Sequence, residues 1–364
     1  MKFRCEREIL AEALATAGRA ATSRSGTLPV LSGVRLDVKD GDLTVTGTDL
    51  ELTIRLSVPV HSDQDGSVVV PARLVADIVK ALPAGAVEVS VADEEMSISA
   101  GRSQFSVRPL SLSDYPAQVE PDAEPVRLTS LEVGDALRQV VRAASTDDAR
   151  AVLTGVLIAS EDSGLKMVAT DSYRLAVRDL PQSSILAAGQ KVLVPGRALA
   201  ELQRILSADD ELTVRLGARE AVFEAGGTRL TTRLIEGEYP NYRNLLPSSY
   251  PNILTVGREA LLEALRRVKI LAQDSTPVRL TLGGDTLQLT AITQDVGNAA
   301  EEIDAGYDGA EMTVAFNPEY LAAGIDAVEG DEVTLATMDP MKPAVLRGVG
   351  HDEYLYLLMP VRVP

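Results

Sequence analysis

The sequence predicts an α+β fold of three repeated domains, each made of antiparallel sheets with two helices. Three markers predict it: amphipathic helices that open alike, strand–proline–helix passages, and a Thr-Asp pair set between strand-like runs. All three step forward together by about 120 residues, the usual size of one domain. Three independent markers on one period make chance a poor explanation.

The helical marker appears as EREILAEALATAGRAA from Glu6, LEVGDALRQVVRAAS from Leu131 and REALLEALRRVKILAQ from Arg258. Each carries an acidic residue, Ala and Leu in series: Glu12-Ala13-Leu14, Asp135-Ala136-Leu137 and Glu263-Ala264-Leu265. Apolar residues recur at helical spacing, as in Val133, Leu137, Val140 and Ala144, which makes each segment a one-sided amphipathic helix. Basic residues gather towards the last turns (Arg19, Arg142, Arg266, Arg267, Lys269), where the helix dipole favours them.

The second marker reads VVVPARLVADIVKALP, KVLVPGRALAELQRIL and MTVAFNPEYLAAGIDAV. Pro71, Pro195 and Pro318 suit a first helical turn, where a missing N–H has no partner to lose. The third marker is Thr48-Asp49, Thr170-Asp171 and Thr293-Gln294. It reads as a turn between strands whose Asp accepts backbone hydrogen bonds, and Gln294 argues against an essential acid there. Gly226-Gly227 reads as a hairpin turn. Polar, Pro-rich linkers place the domains at 1–120, 127–247 and 252–364.

Composition narrows the function. A hydrophobic share of 45% supplies cores, while the absence of Trp and the scarcity of aromatics argue against stacking platforms for single-stranded nucleic acid. Lone Cys5 excludes an internal disulfide and fits a reducing cytoplasm. The amino terminus MKFRCEREILAEAL has no signal-peptide core, and no run approaches the roughly 20 apolar residues of a membrane span. Net charge is −18, which opposes phosphate binding on average but leaves room for a basic lining within an acidic exterior.

Catalytic signatures are missing: no GxxxxGK[ST], GxSxG, HExxH or CxxC pattern occurs. With only His61 and His351, neither a metal site nor a proton shuttle is expected, and no cofactor is called for. The acidic pairs Glu161-Asp162 and Glu301-Glu302 read as solvated loop ends. The competing enzyme reading is a carboxylate-dependent hydrolase on a β-rich repeat scaffold, with Asp49 and Asp171 as its acids.

The segments MKFRCERE, TLPVLSG, LTVTGTDLEL, VVVPAR, AGRSQFSV, VATDSYRLAV, VLVPGR, EGEYPNYRNLLP, VAFNPEYL and YLLMPVRV carry a further pattern. In their order and spacing the chain resembles the bacterial DNA polymerase III beta subunit, the sliding clamp, over essentially its whole length. The resemblance implies three clamp domains forming half of a closed ring, completed head-to-tail as a homodimer around double-stranded DNA. It also implies a non-catalytic cytoplasmic processivity factor whose partners are the DNA polymerase III alpha subunit, the clamp loader and other proteins with clamp-binding motifs. A specialised paralogue with altered partner or inhibitor binding is the nearest alternative.

The resemblance further assigns residues. A pocket for short apolar peptides is expected from Leu153, Thr170, Arg174, Leu175, Pro240 and Leu245, with Asn317, Tyr320, Met341 and Pro343. The terminal run Leu357, Leu358, Met359, Pro360, Val361 and Arg362 completes it. Ser172 and Tyr173 replace a Gly-His of some relatives, and Asn244 stands where a basic residue can occur. Arg24, Arg73, Arg150 and Arg197 are expected to face DNA, although Asp147 and Asp148 dilute the basic character beside Arg150. Phe105 and Val107 of one chain are expected to meet Ile270 and Leu271 of the other.

Overall fold

The computed structural model describes residues 1–21, 28–92, 94–117, 123–161, 164–181, 183, 185–246, 249–272 and 276–362. The first repeat runs β1 (Lys2–Glu6), α1 (Arg7–Gly18), β2 (Gly33–Lys39), β3 (Asp42–Thr48), β4 (Leu52–Pro59), β5 (His61–Gln64), β6 (Gly66–Pro71), α2 (Ala72–Ala81), β7 (Ala86–Ala92), β8 (Glu95–Ala100) and β9 (Ser103–Val107). The second runs β10 (Val126–Thr129), α3 (Ser130–Val140), β11 (Gly155–Glu161), β12 (Gly164–Thr170), β13 (Arg174–Pro181), β14 (Lys191–Pro195), α4 (Gly196–Ile205), β15 (Glu211–Leu216), β16 (Glu220–Ala225) and β17 (Thr228–Arg233). The third runs β18 (Asn252–Gly257), α5 (Arg258–Lys269), β19 (Val278–Gly283), β20 (Thr286–Thr293), β21 (Gly297–Asp308), β22 (Met312–Phe316), α6 (Pro318–Ala327), β23 (Glu332–Thr337), β24 (Ala344–Gly348) and β25 (His351–Leu358). The three repeats thus share one element order, with β21 doing in the third what β4 and β5 do in the first.

The chain divides into two compact units, residues 1–131 with 200–234, and residues 132–199 with 235–364. The cut passes through the second repeat because its strands join both neighbours: β17 pairs with β4, and β13 pairs with β25. The first unit holds a five-stranded sheet, β5-β1-β7-β8-β9, and an eight-stranded one, β10-β15-β16-β17-β4-β3-β2-β6. The second holds a twelve-stranded sheet, β14-β11-β12-β13-β25-β24-β23-β18-β21-β20-β19-β22. All the strand pairs described are antiparallel, as expected of sheets that bury one face and wet the other.

Helices lie close on these sheets, and glycines permit the approach. In the first unit α1 buries Leu10, Ala13, Leu14 and Ala17, and a Cβ on Gly47 of β3 would lie 2.0 Å from the Ala17 carbonyl oxygen. In the second unit a Cβ on Gly324 of α6 would lie 2.5 Å from the ring of Tyr356. The prolines depart in part from expectation. Pro318 opens α6, but Pro71 and Pro195 end β6 and β14, one residue before α2 and α4. Both strands are sheet edges, where a residue without an N–H costs no ladder bond.

Candidate functional site

The Thr-Asp pair closes the β3–β4 and β12–β13 hairpins with the same set of bonds to backbone N–H groups. Asp49 Oδ1 accepts from the N–H groups of Glu51 (3.1 Å) and Leu52 (2.8 Å), and Asp171 Oδ1 from those of Tyr173 (2.9 Å) and Arg174 (3.0 Å). Thr48 and Thr170 each accept, at 3.1 Å, from the N–H two residues on. Those residues, Leu50 and Ser172, sit at φ 79° and 80°, a left-handed conformation that costs a side-chain-bearing residue about 1 kcal/mol or more. Each carboxylate is therefore committed to its own turn. That commitment removes the basis for reading the two aspartates as hydrolytic acids.

The second copy adds a cationic and aromatic layer. Arg174 Nε donates to Asp171 Oδ2 at 3.0 Å, and its guanidinium carbon lies 4.4 Å from the ring centroid of Tyr320. The Tyr173 ring stands 6.4 Å from that of Tyr320 with a 28° angle between planes. Tyr320 is fixed on the first turn of α6, where Asn317 Oδ1 accepts from the N–H groups of Glu319 (2.9 Å) and Tyr320 (3.2 Å). Beneath lies Tyr356, whose hydroxyl donates to the Tyr320 carbonyl at 3.0 Å. Burial pushes its phenol up to about 12, partly offset by Arg174. Burial disfavours the Arg174 cation in turn, but the Tyr356 hydroxyl and Asp171 carboxylate outweigh it and the net shift is upward.

The carboxy-terminal segment borders this layer. The Met359 N–H donates to the Tyr173 carbonyl at 2.9 Å, and the Val361 N–H to the Ala315 carbonyl at 2.7 Å. Tyr173, Leu245, Met341, Met359 and Val361 are all exposed apolar or aromatic side chains. Below them Leu175 and Leu357, paired across β13–β25, join Val168, Leu193, Tyr242 and Val345 in a dry core. Leu153, Thr170 and Leu358 are also buried. Pro240, Asn244 and Arg362 are exposed, and Pro343 and Pro360 are half-buried. The predicted peptide-site residues thus separate into a floor and a rim within the second unit.

Residues 1–119, 127–241 and 243–362 match the N-terminal, central and C-terminal domains of the DNA polymerase III beta subunit. The chain belongs to the DNA polymerase III beta subunit family. It is 35% identical over 377 residues to the beta sliding clamp of Streptomyces coelicolor, with 100% of both chains covered. The crystal structure of the DNA polymerase sliding clamp of Bacillus subtilis is similar at a TM-score of 0.91 and 28% identity, again with 100% of each chain covered. A sliding clamp from Bartonella birtlesii, solved bound to griselimycin, matches at a TM-score of 0.91 and 30% identity over 100% of both chains.

On this beta-subunit chain the arginines expected to face DNA fare differently. Arg24 lies outside the described residues. Arg73, early in α2, is almost wholly exposed, with Asp77 4.0 Å away, and Arg197 is exposed at the matching place in α4. Arg150 is turned towards its own chain: its Nη1 donates to the Asp171 carbonyl and to Ser172 Oγ, both at 3.2 Å. Basic residues at helix ends are likewise paired, Arg142 with Asp326 at 2.8 Å and Arg267 with Glu301 at 2.8 Å.

The residues expected at a chain–chain contact are divided too. Phe105 is 40% exposed on β9 and Ile270 is 79% exposed just after α5. Leu271 is half-buried, and its carbonyl accepts from Thr293 Oγ1. Val107 corrects the expectation. It is 5% exposed and packs in the core of its own unit, because the end of β9 turns inward onto Met96 of β8.

Two contributions escaped the sequence. Tyr356 supports Tyr320 from below, and its alternation with Leu355 and Leu357 along β25 was the available signal. Arg243, which forms an ion pair with Glu161 and flanks the buried Tyr242, fixes the segment bearing Leu245. Nothing in local spacing announces a pair so far apart in the chain.

Proposed function

We propose that this chain works as a cytoplasmic sliding clamp: a head-to-tail homodimer that encircles duplex DNA and tethers the DNA polymerase III alpha subunit. The clamp loader and other clamp-binding-motif proteins would share the peptide site described above. The protein is non-catalytic, and we propose domain bounds of 1–120, 127–247 and 252–364. No helix among the described residues is long and apolar enough to cross a membrane.

The observation that carries the homodimer is a junction made twice and left open once. β4 takes β17 on its free edge, with Ile54 opposite Leu230, and β13 takes β25, with Ala176 opposite Tyr356. All four of those side chains are fully buried or nearly so. In the third repeat the matching stretch is β21 from Gly297 to Asp304, paired with β20 on one side only among the described residues. The strand matching β17 and β25 is β9, paired among the described residues with β8 alone. Carrying the register over sets Phe105 of one chain opposite Asn298 of another, and Gln104 opposite Ala299. Leu271 lies beside Gly297 and so borders the same seam. Antiparallel addition across two such edges would hide both, and two copies would close the assembly.

Enclosure explains the charge. A ring is retained by topology, so its inner arginines need only a shallow attraction, and a strongly basic lining would brake sliding through counterion release. Arg73 and Arg197 are exposed at matching helix starts, and helix-end cations such as Arg142 and Arg267 are held by carboxylates, a pattern that fits that need. That a relative is seen bound to griselimycin supports a ligand-accepting surface in this family. The test is retention: loaded onto a nicked circular plasmid, the protein should stay bound and should leave when the plasmid is linearised. Equal retention on linear and circular DNA would overturn the reading.

A further inference from the structure

Where β4 meets β17 and where β13 meets β25, the strands pair alike, so the side chains facing the helices can be compared position by position. Leu56 opposite Thr228 matches Arg178 opposite Tyr354. Counted from Glu12-Ala13-Leu14 and Asp135-Ala136-Leu137, Thr16 of α1 matches Gln139 of α3. At the second of these junctions the space between helix and strands is filled. Tyr354 and Gln139 are both buried, and the Tyr354 hydroxyl donates to the Gln139 carbonyl at 3.3 Å. Burial holds that phenol well above its ordinary range, so it stays a neutral donor. At the first junction the matching side chains are smaller. Thr16, Leu56 and Thr228 are only half-buried, and with Val58 they line a cleft of about 320 Å³. Arg19 and Arg204 stand at its edge, but buried Glu201 holds both, at 2.7 and 2.6 Å. Glu12 and Asp210 share that edge and repel an anion.

We propose that this cleft is a binding site for a small neutral phenol, which takes the place that the Tyr354 ring occupies at the second junction. The ring lies on Leu56 and Val58 between Thr16 and Thr228, and its hydroxyl donates to the Thr16 carbonyl as that of Tyr354 does to Gln139. A carbonyl oxygen has two lone pairs, so the bond that Thr16 already accepts from the Arg19 N–H leaves one for the ligand. The charged edge sets the class. With both arginines committed to Glu201, a carboxylate or phosphate finds no cation to pair with, whereas a phenol, with an ordinary pKa of about 10, enters uncharged. The volume stands at the low end of small-ligand sites and gives room for one ring with a short substituent.

The probe is p-cresol, the tyrosine side chain without its backbone, titrated into the full-length protein and read by saturation-transfer NMR. Toluene, which keeps the ring and loses the hydroxyl, should bind about fivefold more weakly, the worth of one hydrogen bond. The anionic para-hydroxybenzoate should also bind at least fivefold more weakly. Thr228→Tyr, which supplies the ring from the chain itself, should abolish p-cresol binding and melt no lower than the unaltered chain. Tyr173→Ala, at the proposed peptide site, should leave p-cresol binding unchanged. Undiminished binding in Thr228→Tyr, or its loss in Tyr173→Ala, would place the ring elsewhere and overturn the proposal. Toluene or para-hydroxybenzoate binding as tightly as p-cresol would overturn it without recourse to any variant. N-acetyltyrosinamide binding more tightly than p-cresol would point to a tyrosine of a protein partner and overturn the assignment to a small molecule.

Discussion

Phe105 is the most economical place to test the open junction. Its 40% exposure applies to a side chain that buries about 150–250 Å² when covered, so roughly 80 Å² awaits burial. At about 25 cal/mol per Å² that is worth roughly 2 kcal/mol. A closed homodimer contains the contact twice, so Phe105→Ala should cost about 4 kcal/mol, on the order of a thousandfold in dimer Kd. Val107 adds nothing to this sum, because it is buried before any partner arrives.

Sedimentation equilibrium from nanomolar to micromolar protein measures the effect directly. A dimer Kd that moves less than threefold would refute the reasoning. The register can be checked in the same preparation. Gln104→Cys with Ala299→Cys should form an inter-chain disulfide on oxidation, whereas Gln104→Cys with Ala300→Cys should not, since a one-residue slip sends the second side chain to the opposite face. The native thiol, Cys5, is buried and should stay out of the exchange.

Two further expectations follow from the turn and its support. Asp171→Ala and Asp49→Ala remove the same two backbone hydrogen bonds, but Asp171→Ala also takes the carboxylate from Arg174, whose side chain is only 15% exposed and is left with Tyr356 and the Tyr320 ring. That adds about 3 kcal/mol, so amide exchange at residues 173–174 should accelerate on the order of 100-fold more than at residues 51–52 in the matching variant. Equal acceleration would show the ion pair to be inert. Burial raises the Tyr356 phenol from an ordinary 10 to about 12, so the folded chain keeps a proton that the unfolded chain releases. Its contribution is complete below pH 10 and is lost as pH rises from 10 to 12, at up to about 1.4 kcal/mol per pH unit. Urea midpoints at pH 9, 10 and 11 should fall more gently in Tyr356→Phe, and an unchanged slope would contradict this.

Repetition made much of the architecture legible. Glu-Ala-Leu, the prolines and the Thr-Asp pair marked equivalent positions, and the glycines at 226 and 227 take φ 55° and 73° between β16 and β17 as a hairpin demands. Residues whose roles depend on distant partners were harder to read. The amphipathic pattern of β9 breaks at its end, with Gln104, Phe105 and Ser106 all exposed before buried Val107, so alternation could not say which side chain waits for a partner. The orientation of Arg150 depends on a turn about twenty residues away, which nothing in its own stretch, with Asp147 and Asp148 beside it, announces. Pro71 and Pro195 satisfy both a helix start and a strand edge, and only the sheet order decides between them.

The two junctions within the chain also bear on why the proposed partner site lies at only one of them. Where β17 meets β4, the Arg233 N–H donates to the Glu51 carbonyl; where β25 meets β13, the Met359 N–H donates to the Tyr173 carbonyl. The backbone bond is the same, so the scaffold at the two turns is equivalent and the difference must lie in the side chains. At the first, Glu51 and Leu52 face a strand whose chain continues into the next repeat. At the second, Tyr173 and Arg174 meet Tyr320 and the exposed Met359 and Val361. An apolar peptide gains little from a carboxylate and much from stacked rings over an ordered cation, because a few well-buried anchors dominate such binding. Exchanging Tyr173-Arg174 for Glu-Leu, the pair at the first turn, should therefore abolish peptide binding while leaving the β13–β25 pairing intact.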